Sequence, residues 1–257
     1  MDRGSLLDRI GFDDEVVCVT GGAGGIGTAI GETVASLGAD VAVADVDAEG
    51  ARETARSLEA DFGVDAVAVD TDVSSYPEAE AMVEAVADEL GPIDVLVNNA
   101  GVPRNERFAD SEPDGWETVI GVALYGTLNC SHAVLPTMLA RESGSIVNFA
   151  SGSYRGNDPG LSVYGAAKAA NVSFTKTLAK EVGPEGIRVN CVSPGTVRTP
   201  VTADWLDEHE AAIAESYALE RVGEPGEVAD VVALLASDAA GWVTGEVVHV
   251  DGGYLRR

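Results

Sequence analysis

Short apolar runs, each followed by a longer amphipathic stretch, recur along the whole of this 257-residue chain. The runs are "VVCVT" (16–20), "VAVAD" (41–45), "AVAVD" (66–70), "IDVLVNN" (93–99), "SIVNFAS" (145–151), "IRVNCVS" (187–193) and "EVVHV" (246–250). Strands this uniformly apolar are buried on both faces, and alternation with helices makes them parallel. Helices are expected from the glycine loop to about Leu37, then over 48–62, 77–90, 114–140, 162–182 and 226–237, with a charged helical insertion over about 201–217. Pro77 suits a first helical turn, and Gly183-Pro184 a stop. With no linker, repeat or low-complexity segment, one doubly wound α/β domain over 1–257 is expected.

Composition excludes more than it assigns. The chain carries 43 acidic against 16 basic residues, a net charge of −27, which would repel a nucleic-acid backbone. No membrane span or signal peptide is expected, because no run of about 18 apolar residues occurs and the N-terminus has only Leu6 and Leu7 as an apolar core. A soluble cytoplasmic protein is the expectation. Cys18, Cys130 and Cys191 are too scattered for a disulfide framework or a metal knuckle, and His132, His209 and His249 form no ligand motif. No metal is expected. The acidic residues are spread over the whole chain, a pattern similar to that of proteins from salt-accumulating halophiles.

"VTGGAGGIGTAI" (19–30) leaves a strand and enters a helix, the setting in which glycines let a pyrophosphate approach backbone amides. Spacing alone permits two registers, Gly22/Gly24/Gly27 and Gly21/Gly25/Gly27. Asp45 ends the second strand, where a carboxylate accepts hydrogen bonds from a ribose 2′-OH and repels a 2′-phosphate. No lysine or arginine in the loop or just after Asp45 would welcome that phosphate. NAD is therefore expected over NADP.

Tyr164 and Lys168 lie one turn apart on one helical face. With the glycine loop, "NNAG" (98–101), Ser151, "YGAAK" (164–168), "SPGTVRTP" (193–200) and "VTGEVVHVDGG" (243–253) in this order, the chain resembles the short-chain dehydrogenase/reductase family from about residue 12 to 253. The resemblance implies a seven-stranded sheet of order 3-2-1-4-5-6-7 and selects the register Thr20, Gly21, Gly25, Ile26 and Gly27. It also implies Ser151, Tyr164 and Lys168 as catalytic residues. Tyr164 would exchange a proton with the substrate oxygen, Ser151 would hydrogen-bond that oxygen, and Lys168 would hold the nicotinamide ribose and lower the tyrosine pKa. Ser153 stands as a rival to Ser151. Asp72 and Val73 match positions beside the adenine, Asn99 and Gly101 positions beside the ribose, and Pro194, Gly195, Val197 and Thr199 the segment around the carboxamide.

The implied activity is NAD-dependent interconversion of a secondary alcohol and its ketone, the alcohol being a sugar or polyol, a hydroxyacyl compound or a cyclic alcohol. A 3-oxoacyl-thioester reductase and a non-catalytic NAD(H)-binding regulator are the alternatives. The substrate would be shaped by segments 102–108, 152–161 and a lid near 200–218, with Arg104, Arg107, Arg155 and Trp205 as candidates. The family is commonly tetrameric, so a homotetramer or homodimer is expected. One position departs from the pattern: Ala123 stands where many members carry an asparagine that supports a water relay to the lysine. Asn129, six residues on, falls on a different helix face and is a poor replacement.

The charge yields the first prediction. At multi-molar salt the Debye length is about 3 Å or less, which screens the self-repulsion of so acidic a chain. Tm should rise between 0.1 M and 3 M KCl when followed by circular dichroism; an unchanged Tm would remove the halophilic reading.

Overall fold

In the computed structural model, which describes residues 5–156 and 158–254, seven parallel strands form one sheet. They are β1 (Val16–Thr20), β2 (Asp40–Asp45), β3 (Ala66–Asp70), β4 (Val95–Asn98), β5 (Gly144–Phe149), β6 (Ile187–Pro194) and β7 (Val247–Val250), in the order β3-β2-β1-β4-β5-β6-β7. The helices are α1 (Leu6–Ile10), α2 (Ile26–Ser36), α3 (Ala48–Phe62), α4 (Tyr76–Glu89), α5 (Pro113–Ile120), α6 (Gly126–Arg141), α7 (Ser162–Val182), α8 (Ala203–Ala214) and α9 (Pro225–Ala236). The sheet and its order are those expected. Helix α1, held by a Ser5/Asp8 capping box, was not, because its apolar residues stay exposed and give no core periodicity.

Alternation along each strand divides the core into two. Val17 and Val19 of β1 face Ile30 and Val34 of α2, Leu58 of α3 and Val228 and Val232 of α9. Val16 and Cys18 point the other way, toward Met82 and Val86 of α4, Val134 and Met138 of α6, and Leu178 and Val182 of α7. Each strand therefore carries apolar side chains on both faces, the reason that its sequence reads as an unbroken run. Arg188 of β6 closes the C-terminus of α9, donating to the carbonyls of Leu235 and Ala236 at 2.5 Å each.

Two features break the regular pattern. Residues Pro113–Arg141 form one continuous helical rod over the helix expected at 114–140, and it is long and apolar enough by composition to cross a membrane, where no such span was expected. In this structure Cys130, Val134 and Met138 of the rod are buried against the sheet. Within it, Gly121–Tyr125 is a π-helical turn, whose widened register diverts a backbone carbonyl from its usual helical partner. The second feature is a polar seam inside the α6/α7 layer. Asn98 of β4 donates to Ser131 Oγ (3.0 Å) and to Asn148 Oδ1 of β5 (2.9 Å), and Asn148 donates in turn to Thr175 Oγ1 of α7 (2.9 Å). All four side chains are buried.

Removing the middle of that seam strands two buried partners. Asn148→Ala should therefore cost about 2–3 kcal/mol in urea unfolding at constant high salt, more than a buried Asn→Ala change that orphans nothing. A loss under about 0.5 kcal/mol would show that the seam is not cooperative.

Candidate active site

The loop between β1 and α2 is built for close approach. Gly21 and Gly25 have φ of +65° and +54°, and a Cβ on Gly27 would lie 1.9 Å from the Gly21 carbonyl oxygen. Only glycine fits at position 27, which both registers share; positive φ at Gly21 and Gly25, against open space at Gly24, favours the Gly21/Gly25/Gly27 register. Asn99 Nδ2 donates to the carbonyls of Thr20 (3.0 Å) and Gly21 (2.9 Å), and Thr20 Oγ1 accepts from Ala100 N (3.2 Å), so the exits of β1 and β4 are tied together. Beside the loop, a Cβ on Gly24 would meet nothing within 4 Å. Helix α2 has no side-chain cap and no acidic residue in its first turn, leaving its N-terminus suited to an anion. Asp45 stands at the rim, accepting from Ala23 N and Asp47 N at 3.0 Å each. These residues fit a dinucleotide, with the acidic side chain where a ribose hydroxyl would meet it.

The expected adenine segment is fixed from behind. Asp72 Oδ1 accepts from Ser74 N (2.9 Å) and Ser74 Oγ (2.7 Å), while Asn129 Nδ2 donates to the carbonyls of Val73 (3.0 Å) and Ser74 (3.1 Å). Asn129 is thus engaged on the far side of the rod and does not replace a side chain at Ala123.

Tyr164 and Lys168 of α7 converge over Gly101. A Cβ there would lie 3.4 Å from Lys168 Nζ and 3.7 Å from the Tyr164 hydroxyl, and the ammonium sits 5.5 Å from the tyrosine ring centroid. Lys168 is 1% exposed, and among the described residues its ammonium makes no hydrogen bond. Burial pushes it down to about 8 and pushes the Tyr164 phenol, part of whose side chain still reaches solvent, up to about 12. The lysine was expected to lower the tyrosine pKa. In the protein alone, desolvation outweighs an ammonium at this separation.

Ser151 ends the segment after β5, where its Oγ accepts from Ser153 Oγ at 2.9 Å. Ser153 is 3% exposed and Ser151 only half-buried, so Ser153 supports Ser151 from beneath and leaves the Ser151 O–H free to donate outward. After β6, Pro194 pairs with Val250, Val197 bridges to Gly223 and Thr202 Oγ1 donates to the Val197 carbonyl (2.8 Å). Thr199 accepts from the amides of Thr202 (3.0 Å) and Ala203 (2.9 Å), so it shapes the turn into α8. Its methyl also lies 3.0 Å from where a Gly25 Cβ would stand, which brings this segment onto the glycine loop.

The three candidate arginines each have a partner on the protein. Arg104 pairs with Glu106 (2.9 Å), Arg107 with Asp110 (3.9 Å), and Arg155 donates to the Tyr154 hydroxyl (2.9 Å) and approaches His249 Nε2 (3.1 Å). Trp205 stacks on His209 of its own helix, centroids 5.5 Å apart. Asn157 of segment 152–161 lies outside the described residues. Burial pushes all three thiols up, so none is poised as a nucleophile. The sequence reading missed the supporting role of Ser153, the tether from Asn129, and Asn171, a fully buried asparagine on α7.

Comparison with known proteins agrees with this geometry. A family model described as "Enoyl-(Acyl carrier protein) reductase" matches residues 21–255. Meso-2,3-butanediol dehydrogenase of Serratia marcescens is 41% identical over 242 residues, 94% of this chain and 95% of that protein. The 3-oxoacyl-[acyl-carrier-protein] reductase FabG of Thermotoga maritima is 37% identical, over 95% of this chain and 99% of its own. A short-chain type dehydrogenase/reductase from Mycobacterium marinum superposes with a TM-score of 0.93 at 30% identity, covering 98% of this chain and all of that one. With its sheet order, its glycine loop and relatives matched over nearly their full length, the chain belongs to the short-chain dehydrogenase/reductase family of oxidoreductases.

Proposed function

We propose that this protein is an NAD-linked dehydrogenase that interconverts a small secondary alcohol and its ketone. The observation that carries the reading is the convergence of the Tyr164 hydroxyl and the buried Lys168 ammonium over Gly101, at the mouth of the glycine loop. Ser151 directs its O–H to the substrate oxygen and stabilises charge there. Tyr164 takes the hydroxyl proton in oxidation and returns it in reduction, and Lys168 supports the phenolate. The bound nicotinamide supplies the hydride acceptor or donor. Thr20, Gly21, Gly25, Ile26, Gly27, Asp72, Val73, Asn99, Pro194, Gly195, Val197 and Thr199 hold the cofactor.

The Asp45 carboxylate, fixed by two amides at the rim, favours NAD over NADP. Similarity to a butanediol dehydrogenase supports a small alcohol as substrate. Similarity to FabG reductases supports the second reading, a 3-oxoacyl-thioester reductase, which a strong NADPH preference would favour. The reading extends to a cytoplasmic homo-oligomer. An apolar hollow of about 370 Å³ between α5 and α7, lined by Phe108, Trp116, Ile120, Leu124 and Val163, supports association through that face.

NADH formation from NAD+ should be seen with a panel of secondary alcohols, diols and 3-hydroxyacyl esters in about 3 M KCl near pH 9. Tyr164→Phe should lower kcat at least about 10³-fold, with binding of NAD+ retained. Full activity in that variant would sink the mechanism.

Burial of Lys168 has a measurable cost. Its folded pKa of about 8 lies below its ordinary 10.5, so unfolding takes up a proton between those values and stability rises as pH climbs through that window. Below pH 8 both states carry the proton and the full cost remains. Lys168→Met should therefore abolish turnover yet stabilise the protein at pH 7 by about 1–3 kcal/mol, the gain fading toward pH 10.5. Destabilisation at pH 7 would mean that the ammonium is well satisfied in the fold.

A further inference from the structure

The π turn that contains Ala123 is held by a residue from another helix. Asn171 of α7 is fully buried, and its Nδ2 donates to the Ala123 carbonyl (2.8 Å), the Phe149 carbonyl (3.2 Å) and Thr127 Oγ1 (3.2 Å). Two of these partners are backbone carbonyls, which only an N–H can meet, so the orientation of the amide is settled by its surroundings. Its Oδ1 is therefore the other arm, and that oxygen is buried with no hydrogen-bond partner. An unmet buried acceptor costs about 1–3 kcal/mol, a reason to look for what it serves.

Asn171 stands three residues beyond Lys168 on the same helix, which puts the two on one face. The amide has a buried acceptor without a donor, and the Lys168 ammonium has donors that no protein acceptor among the described residues takes up. No charged side chain forms an ion pair with Lys168 in the described residues, and Tyr164 and Cys191 are the titratable groups facing it. At Ala123 itself the side chain is a methyl and offers neither function.

We propose that Asn171 is a positioning residue for proton transfer. Its Nδ2 locks the π turn, and its Oδ1 seats an internal water that hydrogen-bonds the Lys168 ammonium, doing from α7 what a polar side chain at position 123 would do from the rod. The proposal rests on the dehydrogenase reading for its catalytic consequence, but not for its effect on the lysine. Asn171 touches neither substrate nor cofactor; it acts by keeping the charged form of Lys168 favoured and supplied with a proton path.

The chain has only three lysines, Lys168, Lys176 and Lys180, so a protein labelled at the lysine Cε carbons gives a spectrum in which each can be titrated by NMR. In Asn171→Leu the Lys168 pKa should fall by at least about one unit from its wild-type value, because a hydrogen bond to the charged form is lost. Lys176 and Lys180 should not move. Asn171→Ala, which removes the acceptor without adding bulk, should show the same fall if the leucine variant does not fold. In turnover at pH 7 both variants should lose about tenfold in kcat with KM unchanged within about twofold, and the acid limb of the kcat profile should shift with the lysine. Ala123→Asn placed on Asn171→Leu should restore most of both.

A Lys168 titration unchanged in Asn171→Ala would overturn the proposal, as would a kcat loss that follows the fall in Tm with the pH profile unmoved. Failure of the parent reading would look different. Tyr164→Phe would then turn over as fast as wild type, while the lysine titration would still report on Asn171.

Discussion

The contact on which the site depends is the one between Gly27 and the carbonyl of Gly21. Helix α2 starts so close to the end of β1 that any side chain at position 27 would overlap backbone. That closeness places the helix N-terminus beside the exits of β1 and β4, the point at which the winding of the sheet reverses and a crevice must open. The surrounding contacts then follow from it. Asn99 can reach both Thr20 and Gly21 only because the turn is tight, and Thr199 can rest on Gly25 only because that residue has no side chain. The segment after β6 is so brought from the other half of the sheet onto the loop, and the two halves share one crevice.

Much of this was legible because strand burial writes itself into composition. Runs such as Val16–Thr20 and Asp40–Asp45 are apolar at nearly every position, and their ends fell within a residue or two of expectation. The glycine register was not legible from spacing, since two fitted; the backbone angles at Gly21 and Gly25 distinguish them. The π turn at Gly121–Tyr125 was invisible because a single wide turn leaves the helical period of a long rod almost unchanged. Asn171 was invisible for a different reason. A lone asparagine in an alanine-rich helix looks like a surface residue until its three acceptors, drawn from two other elements, are known. The partners of the exposed arginines, local acids and a tyrosine, could not be read from sequence either, because they depend on loop geometry.

The layer between the sheet and α7 carries an unusual polar load. Asn98, Asn148, Thr175, Asn171 and Lys168 are all buried there, on a face otherwise packed with valine, leucine and methionine. Polar groups in such a place are tolerated when they bond one another, and the Ser131–Asn98–Asn148–Thr175 seam does so at every group but the Asn98 Oδ1, which is buried without a partner. Such a network also fixes the register of α7 against β4 and β5. Since α7 carries both Tyr164 and Lys168, the seam sets the height at which their polar ends emerge over Gly101. A core of purely apolar residues would be more stable and would hold that helix less specifically.

The charge of the whole molecule bears on the same lysine. A net charge of −27 would ordinarily favour any internal cation through its long-range field, and only seven ion pairs form among the described residues to blunt it. At multi-molar salt the Debye length is about 3 Å or less, and that field is largely screened. What survives is the contribution of groups in direct contact inside the protein, where counter-ions do not enter. The protonation of Lys168 then has to be set by its surroundings, which are the tyrosine ring, a cysteine pushed up to about 11 by burial, and, in the proposal above, a water seated by Asn171 one turn along the helix. Of these only the asparagine offers an unengaged strong acceptor. At high salt a surface this acidic thus leaves the tuning of Lys168, the one buried cation among the described residues, to neutral hydrogen-bonding groups, whose effect salt does not erase.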